Sequence, residues 1–154
     1  MDNMIKQWHS IDRAWKMMEE SGKTYSRVGL FRLDVLYTHE ISIAATEGEA
    51  VVPDFLKSGG KNDRMFFGNI EHARVWATGR FDLVPHFLDS QSKGGYIGLH
   101  SEKFMKFLLR EIPVTEKPIC FHRVRATGKI VKDCNHGLLK DLRTFIFGFS
   151  KHYS

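Results

Sequence analysis

Apolar residues recur at steps of three and four near the start of the chain, where Ile5, Trp8, Ile11, Trp15 and Met18 form one stripe. That period predicts an amphipathic helix from about Asn3 to Glu20, stopped by Ser21-Gly22, with both tryptophans packed inward. Tyr25 to Leu36 reads as extended: Val28, Leu30 and Phe31 suit a buried strand, and Arg32 and Asp34, flanking Leu33, share one face. A second strand is predicted at Ala50 to Phe55, lying at a sheet edge or ending at Pro53, which has no ladder donor. Ile70, Ala73 and Trp76 predict a helix from about Asn69 to Thr78, with Gly79 as its stop and a short helix through Phe81, Leu83, Val84, Phe87 and Leu88 beyond it. Ser92 to Gly98 is a glycine-rich loop. Ser101 then caps a helix whose apolar face is Phe104, Phe107, Leu108 and Ile112. Ile119 to Ala126 and Lys129 to Val131 flank Thr127-Gly128 as a hairpin, and Leu138, Leu142, Phe145 and Phe149 predict a last helix. Strand-like and helix-like periods alternate, which predicts an α/β fold with a small mixed sheet flanked by helices.

Composition narrows this picture only a little. The 154 residues, 42% of them hydrophobic and 12% aromatic, suffice for one core, so one domain spanning 1–154 is expected. No apolar run approaches the ~18 residues of a membrane span, and the first residues lack the apolar centre of a signal peptide, so a cytoplasmic protein is expected. Cys120 and Cys134 make no CxxC pair and are expected to be structural or incidental thiols. A formal charge of +5 favours anionic partners. The basic residues are scattered rather than clustered with aromatics, which argues against nucleic acid.

Candidate chemistry centres on Lys57 to Asn69, KSGGKNDRMFFGN. Gly59 and Gly60 allow a sharp turn or a close approach to a ligand. Asn62, Asp63 and Arg64 then set an amide, a carboxylate and a guanidinium side by side, a combination suited to hydroxyls and anionic oxygens. The same triplet also reads as a plain surface loop in which Asp63 caps the next helix and Arg64 is solvated. Asp34 at a strand end suits a hard divalent cation bridging a diphosphate, or else simply pairs with Arg32. His100 and Glu102 stand at a helix N-terminus, where a carboxylate is steadied and anions are favoured. In ICFHRVRA, Arg123 and Arg125 share one strand face, and Arg125 meets phosphate if that face lines a cleft.

Five motifs in one order carry a resemblance: Arg32-Leu33-Asp34-Val35, Val52-Pro53-Asp54, Gly60 through Gly68, His100-Ser101-Glu102-Lys103-Phe104, and Phe121-His122-Arg123-Val124-Arg125. Together, over about Trp8 to Cys134, the chain resembles a family of GT-A type glycosyltransferases that includes a glycosyltransferase domain of large chlorella viruses and related plant and algal proteins. The resemblance implies a partial GT-A fold and transfer of a sugar from a UDP- or GDP-sugar to a carbohydrate acceptor, with Mn2+ or Mg2+ on the diphosphate. If the chain is viral, host cytoplasm is the implied location. Asp34 matches the last position of the family's Asp-x-Asp metal element, whereas Arg32 replaces its first, leaving His100 or His122 as further candidate ligands. Asp63, with Glu102 second, is implied as catalytic base or acceptor contact, while Arg32, Asn62, Arg64, His100 and Arg125 are implied substrate contacts. The family's βαβ nucleoside-binding half has no counterpart here, so a homodimer or a partner supplying that half is expected. Loss of that half allows weak activity, or a non-catalytic glycan-binding or assembly module. All of this requires Asp34 and Asp63 to face one cleft, with neither locked into a closed buried pair.

Overall fold

The computed structural model describes residues 2–43, 48–92, 94 and 98–134. Within them the chain is a mixed α/β structure of three helices and two small sheets. The first helix, α1 (Asp2–Glu20), has the predicted bounds, and Trp8 and Trp15 are buried as expected. The helix predicted from about Gly137 to Phe149 lies outside the described residues.

The extended run after α1 divides in two. β1 (Arg27–Leu30) and β2 (Val35–Tyr37) join different sheets, and Phe31 to Asp34 cross between them. The first sheet has the order β1-β4-β3-β5, where β3 is Ala50–Pro53, β4 is Phe66–Asn69 and β5 is Val114–Lys117. β4 is antiparallel to both neighbours, whereas β3 and β5 run parallel, so the sheet is mixed. The second sheet is antiparallel, in the order β2-β6-β7, with β6 Phe121–Val124 and β7 Ile130–Val131.

β3 is an interior strand that ends at Pro53, with every residue buried. Its unbroken apolar composition comes from having both faces covered. Ala50 and Val52 enter the cluster beneath the helices, with Trp15, Phe66, Trp76, Met105 and Leu108. Val51 and Phe67 point the other way, into a second cluster with Phe55, Met65 and Phe121 from the second sheet. The first sheet is therefore sandwiched between helices and the second sheet.

The second helix, α2 (Ile70–Ser92), is continuous where two helices are predicted. Asn69 caps it, its Oδ1 accepting from the His72 amide at 2.8 Å. Gly79 does not stop it: a Cβ there would lie 3.0 Å from Leu108 Cδ1, so this glycine serves close packing against α3 (Ser101–Leu108). Pro85 is accommodated inside the same helix. α3 ends short of Ile112, and its cap residue is His100 rather than Ser101.

The expectation of two thiols is overturned. Cys120 and Cys134 form a disulfide with Cα atoms 5.9 Å apart, tying the segment after β7 back to the start of β6. The sequence hid this because the partners meet only through the β6-β7 pairing.

Candidate functional site

The loop from Leu56 to Arg64 is folded tightly by its own sequence. Leu56, Ser58 and Gly59 all take positive φ, of 50°, 43° and 78°. Gly60 presses against the first turn of α3, where Lys61 N–H donates to the Glu102 carbonyl at 2.9 Å. Lys57 and Lys61 both reach Glu116 on β5, at 2.5 and 3.3 Å, and the Lys57 hydrogen bond holds that carboxyl below its ordinary range. Asn62 is fully buried, its amide donating to the Phe55 carbonyl at 2.8 Å while its oxygen accepts from the Arg64 N–H at 2.9 Å. Its side chain is thus spent on the loop's own backbone.

This scaffold presents Asp63 and Arg64 to a cavity of about 800 Å³, which Arg32, Asp34 and Arg125 also line. Three helical or loop walls complete it: Asn3, Lys6, Gln7 and Ser10 of α1, Trp76 of α2, and Ser101 at the start of α3. Asp34 and Asp63 therefore face the same cleft. Four cationic side chains stand against these two carboxylates, which gives the wall a positive balance.

Each acid has a guanidinium beside it. Arg32 grips Asp34 through two bonds, Nε to Oδ1 at 2.7 Å and Nη2 to Oδ2 at 2.5 Å, so the simple pairing of these neighbours is realised. Those bonds hold the Asp34 carboxyl below, and the Arg32 guanidinium above, their usual values. The Asp34 side chain nonetheless remains 54% exposed. Asp63 is mostly buried, accepts a hydrogen bond from the Ser101 hydroxyl on Oδ2, and lies 3.1 Å from Arg64 Nη1 through Oδ1. That last contact is close but poorly aligned, and among the described residues Oδ1 has no hydrogen bond. Trp76 Nε1 is likewise buried with no hydrogen-bond partner among the described residues.

Glu102 and His100 stand behind the wall rather than on it. Glu102 Oε1 lies 3.3 Å from Arg64 Nη2, and its Oε2 lies 3.2 Å from His100 Nδ1. The structure thus gathers Arg32, Asp34, Asp63, Arg64 and Arg125 on the cavity, and leaves Asn62, Glu102 and His100 to support the loop and Arg64.

A hard divalent cation does not suit this donor set. Both Asp34 oxygens already take Arg32, and Asp63 Oδ2 takes Ser101, so a cation would have to displace a guanidinium and then sit among several others. His122 does not help, since it lies on β6 of the second sheet and does not line this cavity.

Ser101, Trp76 and the polar side of α1 also line the cavity, and the sequence does not mark them as site residues. Asn3, Lys6, Gln7 and Ser10 do recur at helical spacing, which marks one polar face. Nothing local distinguishes a face that lines a cleft from one that meets solvent. Arg80 was missed as well: its guanidinium is buried at 1% exposure, stacks 4.0 Å over the Trp76 ring and donates to the Trp76 carbonyl. Among the described residues no helix is long and apolar enough to cross a membrane. Comparison with protein-family models, curated proteins and solved structures finds no match to the chain.

Proposed function

We propose that the cleft binds a nucleotide-diphosphate sugar, UDP- or GDP-linked, and that the chain is a glycosyltransferase-type domain passing that sugar to a carbohydrate hydroxyl. The observation that carries the reading is the convergence of Arg32, Arg64 and Arg125 with Asp34 and Asp63 on one cavity of about 800 Å³. That volume suits a ligand of nucleotide-sugar size. Guanidiniums match phosphate oxygens in pairs, so they would hold the diphosphate and steady its charge as it leaves. The Asp63 carboxylate and the Ser101 hydroxyl, both lining the cavity, suit a sugar hydroxyl, which both donates and accepts.

In the transfer step the acceptor oxygen forms its bond to the anomeric carbon and the nucleotide diphosphate departs with the old bonding pair. The hydroxyl proton goes to Asp63. Arginine does the charge neutralisation that a cation performs in other transferases. Calorimetry of the full chain against UDP- and GDP-sugars, with and without Mn2+, tests this. Binding is expected without metal and is expected to weaken at least tenfold in Arg32→Ala and in Arg125→Ala. Absence of binding to every donor in both conditions would refute it.

The bonding of Asp63 favours a second reading, a glycan-binding or assembly module without turnover. Its Oδ2 is already engaged by Ser101, and Arg64 sits beside Oδ1. Binding of a glycan with no release of nucleotide from any donor would select that reading.

A further inference from the structure

We propose that the Cys120–Cys134 pair and His122 form a redox-gated site for Zn2+, closed as a disulfide and opened by a dithiol reductant. The two sulfurs and a ring nitrogen of His122 all lie within 4.8 Å of one another. Cys120 and His122 are two residues apart on an extended segment, so their side chains leave the same face, and Cys134 comes to that face from beyond β7.

The geometry needs little adjustment to hold a metal. Zinc bonds of about 2.3 Å to sulfur and 2.0–2.1 Å to nitrogen in a tetrahedron place S and S about 3.8 Å apart, and S and N about 3.6 Å apart. Cys134 Sγ already stands 3.9 Å from His122 Nδ1. The ring presents a lone pair there, because Nδ1 accepts the Asp133 amide over a long 3.4 Å contact. A metal would take that lone pair in exchange for a weak hydrogen bond. The two sulfurs must separate, and the ring nitrogen, within 4.8 Å of both, must close on them.

The frame around them is fixed from both sides. The Cys120 carbonyl accepts from Thr38 N–H at 3.3 Å and from Thr38 Oγ1 at 3.0 Å. Arg123 grips Asp133, next to Cys134, through bonds of 2.7 and 2.6 Å. Cutting the disulfide therefore leaves the thiols close together. Soft thiolates with one imidazole select zinc over magnesium or manganese, so this site is chemically distinct from the cleft.

Opening and loading are two balanced steps. A dithiol transfers two electrons and two protons to the Cys120–Cys134 bond, becoming a disulfide itself and leaving two thiols. Zn2+ then displaces both thiol protons to solvent and accepts neutral His122, with the fourth position left for water.

The test is titration of the full chain with Zn2+ against a chromophoric chelator, after air oxidation and after reduction by a phosphine, which binds the metal poorly. The reduced chain is expected to take one zinc at least 100-fold more tightly than the oxidised chain. Co2+ in place of zinc is expected to give thiolate-to-metal charge-transfer absorption in the reduced chain only. His122→Ala should weaken zinc at least tenfold while both thiols remain titratable, and His122→Asn checks that result in a variant nearer in shape. Equal zinc affinity of the oxidised and reduced chains would overturn the proposal, as would unchanged affinity in both His122 variants.

Discussion

Gly59 and Gly60 are adjacent, yet the structure uses them for different reasons, and substitution separates the two. At Gly60 a Cβ would lie 1.9 Å from the Glu102 carbonyl oxygen, 2.1 Å from its carbon and 2.5 Å from Lys103 N, all of them backbone atoms. No rotamer change relieves such a contact. The loop would have to withdraw from α3 by about 1.5 Å to reach ordinary contact. Withdrawal breaks the Lys61 N–H to Glu102 carbonyl bond of 2.9 Å. Overpacking typically costs about 1–3 kcal/mol and the lost bond about 1 more, so Gly60→Ala is expected to destabilise by roughly 2–4 kcal/mol. At Gly59, φ is +78° and none of the described residues lies within 4 Å of the added methyl. Only the left-handed backbone resists, at about 1 kcal/mol. Urea unfolding followed by circular dichroism measures both, with an unchanged m-value as the check that the unfolded state is comparable. A Gly60→Ala variant no less stable than Gly59→Ala would refute the close approach of loop and helix, and with it the placement of Asp63 beside Ser101.

Charge and cross-linking lead to three further outcomes. The Arg123 hydrogen bonds hold the Asp133 carboxyl below its ordinary pKa, so their contribution is complete above the unfolded value of about 3.9 and is lost as pH falls through the lower folded value. Asp133→Asn should therefore cost about 2 kcal/mol at pH 7 and progressively less below pH ~4, as read by urea unfolding at both pH values. Burial pushes the Arg80 guanidinium down to about 9, so between that value and its ordinary one the unfolded chain binds more protons, and below it the buried charge weighs fully against folding. Arg80→Met is expected to gain about 1 kcal/mol at pH 7, with the gain shrinking as pH rises past 9, and a clear loss of stability at pH 7 would contradict this. Reducing the disulfide frees a loop with a sequence separation of 14, which should lower stability by about 3 kcal/mol in the same unfolding assay.

Local periodicity made part of the fold legible in the sequence. The α1 stripe ending in Trp15 and Met18, the buried run Ala50 to Pro53 and the β6-β7 turn all carry their signal within a few residues. Long-range geometry was not legible. Gly79 looks like a helix stop until Leu108 from α3 is set against it, and Phe66-Phe67 fall within a loop stretch until β1 and β3 pair on either side. The site shows the same division. Asp34 and Asp63 were legible as carboxylates beside turns, and their sharing of a cavity depends on the Phe31 to Asp34 crossover between sheets. Asn62, Glu102 and His100 carry the same residue types but point into the scaffold, a distinction that only tertiary contacts make.

The pairing of Arg32 with Asp34 gives the cleft a selectivity that can be read by mutation. A neutral ligand that recruits Arg32 must exchange a charge-assisted pair for an ordinary hydrogen bond, losing about 1 kcal/mol. A diphosphate offers the guanidinium two anionic oxygens in the same fork geometry. Asp34, with a 54% exposed side chain, can then turn to water at little cost. On this account Asp34 competes with the anion for Arg32. Asp34→Asn, which keeps the shape and removes the charge, should therefore raise affinity for UDP or GDP by about three- to tenfold, equivalent to roughly 0.7–1.4 kcal/mol. If Asp34 instead held a cation beneath the diphosphate, the same change would abolish metal-dependent binding. Calorimetric titration of wild type and Asp34→Asn with the nucleoside diphosphates, in Mn2+ and in chelator, separates the two. Weaker binding in the variant, confined to the Mn2+ condition, would overturn the role of Arg32 and restore the acid as a metal ligand.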